Sequence, residues 1–259
     1  MSARAPADVR VAAERDADLE FPLRSNIQWS ERWPWLIQGT TWRGADGTFD
    51  LGLFGREPVG EVLARWRMLQ NALGVRGIVH SRQVHRTGIR VHDQATPGFT
   101  ILDGFDGHHT AESGFALTVS IADCVPVSII DPDTRTATLL HAGWRGVAAG
   151  IIERGIALAA ESGAGDTAVL HVHFGPAICG RCYEVGPEVH EHLGLDVPDG
   201  RLPVDLRAVG AARAMNAGVP ASAIGISASC TRCDRDRPYW SHRAGEAGRQ
   251  LAVLAIRSD

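Results

Sequence analysis

No stretch of the sequence approaches the roughly 18 consecutive apolar residues that a membrane-crossing helix needs, so no membrane association is expected. The N-terminus, Met1 to Leu23, is rich in Ala, Arg, Asp and Glu and carries no apolar run. A secretory signal is therefore not expected, and a cytoplasmic location is. Basic runs and basic–aromatic interleaving are also missing. At a net charge of −4 with histidine neutral, the chain would weakly repel a phosphate-rich polymer, which argues against a nucleic-acid partner. Neither an internal repeat nor a low-complexity linker interrupts the sequence. Cysteine is scarce, with five residues at Cys124, Cys179, Cys182, Cys230 and Cys233. In a reducing compartment these read as thiols or metal ligands rather than as a disulfide framework.

What is present is an ordinary globular composition, 44% hydrophobic and 22% charged over 259 residues, enough for one large core. Residues 1–20 read as a solvated, mobile leader and residues 21–259 as a single domain. Val59, Val62, Leu63, Trp66, Leu69 and Leu73 recur at helical spacing, and Gly74 follows as a stop. Residues 115–121 alternate as a strand does, with Phe115, Leu117, Val119 and Ile121 on one face. Val125 to Ile130 and Thr136 to His141 are short runs either side of the turn Asp131-Pro132-Asp133-Thr134, which reads as a hairpin. A helix is expected from Gly146 through Leu158 and a strand over 168–174. Two more helices are expected, over Asp205–Asn216 with Asp205 as N-cap, and over Arg243–Ile256. Strands and helices mix along the chain, and the hairpin argues against an all-parallel sheet. The expected class is α/β in the α+β sense.

The hairpin bears on chemistry. Pairing Ile130 with Arg135 sets Cys124 directly opposite His141 on one face, with Cβ atoms roughly 4.5–5.5 Å apart, where both can ligate one ion. The inference depends on the register. A small buried thiol and a hydrogen-bonded core histidine fit the same positions. With His85 as a candidate third ligand, two histidines and a thiolate suit zinc and leave a fourth position open. After His141, Gly143-Trp144-Arg145-Gly146 links a strand to a helix. Its glycines admit close backbone approach to an anion, and Arg145 is a bidentate anion donor. No Gly-Lys-Ser/Thr follows, so this is not a Walker A loop; a tight turn with Trp144 in the core is the alternative. Two C-x-x-C pairs, Cys179/Cys182 and Cys230/Cys233, can complete a tetrahedral four-thiolate site for a second, structural zinc. Separate thiols or a redox-sensitive pair are the alternatives.

Several segments together resemble one family, variously called multicopper polyphenol oxidase-like, peptidoglycan editing factor and zinc-dependent purine nucleoside phosphorylase. They are Gln83-Val84-His85, Ala122-Asp123-Cys124-Val125-Pro126-Val127, His141-Ala142-Gly143-Trp144-Arg145-Gly146, Gly175-Pro176-Ala177-Ile178, Tyr183-Glu184-Val185-Gly186, Cys230-Thr231 and Trp240-Ser241-His242-Arg243 ahead of Gly248-Arg249. The resemblance implies that His85, Cys124 and His141 are the ligands of one catalytic zinc. It also implies a single domain of mixed β-sheets packed between helices. The implied activities are phosphorolysis of adenosine, inosine and methylthioadenosine, and deamination of adenosine, so the implied partners are a small-molecule nucleoside and phosphate. For deamination, zinc-activated water would attack C6 of adenine and Asp123 would handle protons. For phosphorolysis, phosphate would attack C1′ of ribose, held by Arg145 first and by Arg43 or Arg243 next.

Rival readings come with it. Laccase-like polyphenol oxidation at several coppers would require a large cluster of His and Cys ligands that the sequence does not offer. A cysteine hydrolase or amidase acting on peptidoglycan precursors would use Cys124 as nucleophile and His141 as base. A non-enzymatic metal-binding protein is the third. Two departures from the family pattern bear on substrate preference. His108 and His109 stand in Asp106-Gly107-His108-His109-Thr110 where an aliphatic pair is common, and Phe49-Asp50-Leu51-Gly52 lacks an Asn before Leu-Gly.

Overall fold

Apolar alternation in the strands builds two seven-stranded mixed sheets. The protein is represented by a computed structural model that describes residue 6 and residues 8–258. The first sheet has the order β1 (Arg10–Ala12), β15 (Ile224–Ser227), β12 (His171–Phe174), β10 (Val125–Asp131), β11 (Thr136–Ala142), β8 (Gly107–Thr110), β6 (Ile89–His92). The second has the order β2 (Glu14–Asp16), β3 (Leu23–Asn26), β4 (Leu36–Thr41), β16 (Gln250–Ile256), β9 (Phe115–Ile121), β5 (Gly77–Arg82), β7 (Gly98–Asp103). A small ribbon pairs β13 (Glu184–Val185) with β14 (Leu202–Pro203). The α-helices are α1 (Ile27–Arg32), α2 (Val59–Leu73), α3 (Trp144–Ala148), α4 (Ile151–Ser162), α5 (Pro187–Leu193) and α6 (Leu206–Asn216).

The sheets stack face to face. Phe115, Leu117, Val119 and Ile121 of β9, with Leu254 and Ile256 of β16, meet Ile130, Ala137 and Leu139 of the first sheet in one buried cluster. On the outer face of the second sheet, Val62, Trp66, Leu69 and Leu73 of α2 pack on Ile78, Ala116, Leu251 and Val253. On the outer face of the first, Val147, Ile151, Ile152 and Ile156 pack on Val127, Ile129 and Leu140. The result is a helix–sheet–sheet–helix arrangement: the mixture of strands and helices is what the residue pattern led one to expect, and the packing of mixed sheets between helices is what the resemblance implied.

Local signals and structure agree at α2, which stops at Gly74 in the left-handed conformation, and at α6, where the Asp205 carboxylate accepts from the Arg207 N–H. They part company at four places. The expected helix from Gly146 is broken into α3 and α4 at Gly150, whose φ of 89° no β-carbon tolerates well. The expected strand over 168–174 begins as a 3-10 turn, Thr167–Val169, before β12. The expected C-terminal helix is strand β16, buried at all seven positions between β4 and β9. A run that is apolar on every side has no periodicity to separate helix from central strand. Residues 10–16 of the expected mobile leader form β1 and β2, while positions 1–5 and 7 lie outside the described residues. Glu14 there is buried against His173 at 3.0 Å and accepts from the Ser227 hydroxyl.

The β10–β11 register also differs from expectation. Asp131 pairs with Thr136 and Pro126 with His141. The Asp131 carboxylate caps the turn by accepting from the N–H groups of Asp133 and Thr134, and Arg135 takes a left-handed φ of 54°. The turn keeps four residues but moves one position on, to 132–135, and Cys124 sits diagonally from His141 rather than opposite it. Because Cys124 is two residues from Pro126, the shared face survives the shift.

Candidate active site

Strands β5, β7 and β9 run parallel, so their C-terminal ends lie together. From each of them the chain crosses to the first sheet, entering β6, β8 and β10 respectively. The three crossings run side by side at one end of the sandwich, and each delivers one polar side chain. The first carries His85, the second Asp106 and the third Cys124. His141 comes from the last turn of β11, which pairs with the beginnings of β8 and β10 at that same end.

The ligand atoms of His85, Cys124 and His141 all lie within 4.8 Å of one another, close enough to hold a single ion. His85 Nε2 stands 3.9 Å from Cys124 Sγ, and the two imidazoles meet edge to face at 4.7 Å. His85 is exposed, Cys124 half-buried and His141 buried. His85 and Asp123 both have left-handed backbones, with φ of 58° and 88°, a strained choice for residues with side chains that is common where function constrains them. Gly143 faces the cluster. A β-carbon there would stand 3.0 Å from the His85 ring and 3.1 Å from Cys124 Sγ, so only glycine leaves the ligands undisturbed.

Asp106 organises the site. Its carboxylate accepts from His141 Nδ1 at 2.9 Å and from the backbone N–H groups of His85 and Arg86 at 2.8 Å each. This fixes the tautomer so that His141 turns its Nε2 toward Cys124, the arrangement a metal-ligating histidine needs. Burial alone would raise the Asp106 carboxyl, but these bonds hold it below the usual carboxylate range. Burial likewise opposes charge on Cys124 and His141, yet each stabilises the other. The thiol falls to about 6 and the imidazole rises to about 9, an ion pair in the absence of metal. A soft thiolate with two imidazoles, oriented by a carboxylate and open on one side, is a donor set that fits one ion.

The open side is a cavity of about 340 Å³ lined by Gly52, Phe54, Gln83, Ser120, His242 and Arg249 together with His85, Cys124 and His141. Of the other residues singled out in the sequence, Arg145 is exposed, stacked on Trp144 at 4.4 Å, and is not one of the residues that line the cavity. Trp144 itself packs at the edge of the helix-side core. Arg243 lies over Tyr183 at 5.1 Å and donates to the Glu184 carbonyl. Arg145 and Arg243 both act on the Tyr183 phenol, which burial pushes up to about 12. Arg43 is used elsewhere: it stacks on Trp240 at 4.1 Å and pairs with Glu246 at 2.9 Å. Asp123 has both carboxylate oxygens engaged, one by the Thr231 hydroxyl and one by the Arg243 N–H, each at 2.6 Å. Its position is that of a brace rather than of a free acid.

His108 and His109 do not line the cavity. Both are buried in β8, bonded to His92 at 3.1 Å and to Thr138 at 2.7 Å. Asp50, in the segment that lacks the expected Asn, accepts from the N–H groups of Gly52 and Arg249 at 2.8 Å each and so shapes the cavity wall. Sequence reasoning missed Asp106, Arg249 and Gln83 as site residues. Gln83 exchanges two hydrogen bonds of 2.8 Å with the backbone of Ser120, tying the first crossing to the end of β9. No spacing rule marks any of them. The second cluster, Cys179, Cys182, Cys230 and Cys233, also gathers its four sulfurs within 4.8 Å.

Residues 38–257 match the family described as multi-copper polyphenol oxidoreductase laccase. The chain is 34% identical over 173 residues to a protein named purine nucleoside phosphorylase YlmD from Geobacillus stearothermophilus, covering 62% of this chain and 63% of that one. It is 31% identical over 194 residues to a protein named adenosine deaminase RL5 from an unknown prokaryotic organism, covering 68% and 74%. The crystal structure of YlmD from Geobacillus stearothermophilus superposes with a TM-score of 0.86 at 26% identity, covering 95% of this chain and all of that one.

Proposed function

From the premise that this chain belongs to the multi-copper polyphenol oxidoreductase laccase family, we propose that it is a zinc-dependent purine nucleoside phosphorylase that also deaminates adenosine. The observation that carries the reading is the convergence of His85, Cys124 and His141 at the foot of a nucleoside-sized cavity. A zinc ion held there would supply Lewis-acid polarisation of a substrate oxygen or of water. Several coppers do not fit: among the described residues the donor sets are one His-Cys-His cluster and one four-thiol cluster, each sized for one ion.

In phosphorolysis a phosphate oxygen bonds to C1′ of ribose, the glycosidic bond breaks, and the purine leaves with the electron pair and takes up a proton. The chain contains no lysine, so arginine is the permanently charged side chain it offers to a phosphate. Arg145 is our first choice, because among the described residues it pairs with no carboxylate, and a guanidinium grips phosphate through two bonds. Arg243 is second, since its side chain already donates to a carbonyl. The exposed ring of Phe54 on the cavity wall offers a face for the base. His242, on the same wall, is the candidate to move the proton. The test is incubation with adenosine, inosine and methylthioadenosine, with and without phosphate, with product identification. Ribose 1-phosphate and free base are expected only with phosphate, and inosine from adenosine without it. If no nucleoside yields ribose 1-phosphate, the phosphorylase reading fails. Arg145→Ala should raise the KM for phosphate about 10-fold while moving the KM for nucleoside less.

A second reading is favoured by one observation. Cys124, His141 and Asp106 form a thiolate–imidazolium–carboxylate line, the arrangement of a cysteine hydrolase acting on a cell-wall precursor. Metal analysis separates the two, because a stoichiometric ion on the thiolate leaves no free nucleophile.

A further inference from the structure

Four of the five cysteines lie on two loops remote in sequence. An isolated parallel bridge joins Ala177 to Cys230, and the Cys179 N–H donates to Cys230 Sγ at 3.2 Å. Cys179 Sγ stands 3.7 Å from Cys233 Sγ. A disulfide needs about 2.05 Å. Four sulfurs held tetrahedrally at a Zn–S distance of about 2.3 Å stand about 3.8 Å apart, which matches. Four thiolates around a divalent cation leave two negative charges, and each loop carries an arginine to offset them. Arg181 lies between Cys179 and Cys182 and interacts with Cys179 and Cys233. Arg232 lies between Cys230 and Cys233 and donates to the Cys182 carbonyl at 3.2 Å.

Both loops also grip one residue of the candidate active site. Ile178, beside Cys179, donates its N–H to the Asp123 carbonyl at 3.1 Å. Thr231, beside Cys230, donates its hydroxyl to the Asp123 carboxylate at 2.6 Å. Asp123 is the residue whose backbone holds the left-handed φ of 88°, a conformation that persists only when its surroundings impose it, and it precedes Cys124. We propose that Cys179, Cys182, Cys230 and Cys233 hold a structural zinc ion, and that the two loops it joins clamp Asp123 and so aim Cys124. The inference does not rest on the nucleoside reading.

The test has two arms. Zinc is measured in the purified full chain and in Cys124→Ala, and X-ray absorption is recorded at the zinc edge of that variant. One zinc with four sulfur neighbours at about 2.3 Å is expected to remain. A variant without zinc, with iron in its place, or with fewer than four sulfurs around the ion overturns the site. In the second arm, amide hydrogen exchange is followed in Cys182→Ser/Cys233→Ser and in Thr231→Val, which keeps all four thiols and guards against a misfolded double variant. Exchange at 122–124 and at Ile178 should accelerate at least about 10-fold in both, while amides of β9 stay protected. Unchanged protection at those positions in Thr231→Val overturns the clamp.

Discussion

The two clusters that can hold a metal are built in opposite ways. His85, Cys124 and His141 arrive from two crossings and a strand end, mix nitrogen with sulfur, and face a cavity. Cys179, Cys182, Cys230 and Cys233 arrive as two local pairs, offer sulfur alone, and touch no described cavity wall of the first cluster. Three ligands with an open side suit chemistry, and four with none suit bracing. Asp123 joins them, anchored by the loops of the second cluster and followed in the chain by a ligand of the first. One domain can thus divide reactivity and rigidity between two corners that share a single residue.

The largest expected effect breaks the first corner. Cys124→Ala should lower turnover at least about 10³-fold, equivalent to about 4 kcal/mol of transition-state stabilisation, and remove one equivalent of metal. Unaltered metal content in that variant would sink the ligand assignment. Breaking the second corner should act on stability first. Cys179→Ser/Cys230→Ser should lower the Tm by about 10 °C or more and cost one zinc while the first is retained. Calorimetry with parallel metal analysis checks this, and full zinc retention would contradict it.

A subtler change sharpens the contrast. Asp106→Asn keeps all three ligands but weakens the acceptor that orients His141. Zinc affinity at the first cluster should fall about 10–100-fold, with the four-sulfur cluster unaffected. Competition against a chelator measures both sites in one titration, and equal losses at the two would argue against a local role.

The smallest effect concerns acid, which weakens the fold itself. Burial holds His80 and His109 down at about 4. In the folded protein they stay neutral, while in the unfolded chain they take up protons below 6.5. Stability is therefore lost as pH falls from 6.5 to 4 and is unaffected by these groups above 6.5. Urea midpoints of metal-free protein at pH 7 and pH 5 should differ less in His80→Gln than in the parent. An identical difference would remove His80 as a cause.

Where chemistry was legible in the residues, it was legible locally. The C-x-x-C spacing announces paired thiols because both members sit on one tight loop. Cys124 and His141 were brought to one face by period-two alternation, and that parity outlived a wrong register. Asp106 was illegible, since its importance comes from meeting His141 across the sheet and the backbone of His85 across a crossing. Asp123 read as a free acid because nothing in its neighbourhood along the chain reveals Thr231 and Arg243, which fold back onto it. Arg43 read as an anion donor for the same reason, before Trp240 and Glu246 claimed it.

The sequence by itself determined the periodic elements: helix α2 with its stop at Gly74, the alternation of β9, the cap at Asp205, and the donor types in both clusters. These depend on neighbours within a few residues, where side-chain spacing and backbone preference act directly. Only the tertiary structure decided that residues 250–256 are a central strand rather than a helix, that residues 10–16 close the sheet edges, and that three parallel strands end together. Those outcomes follow from which sheet each segment pairs with, and pairing is chosen by burial summed over the whole domain rather than by any local run. The His85–Cys124–His141 cluster exists because three crossings leave one end of the sandwich side by side.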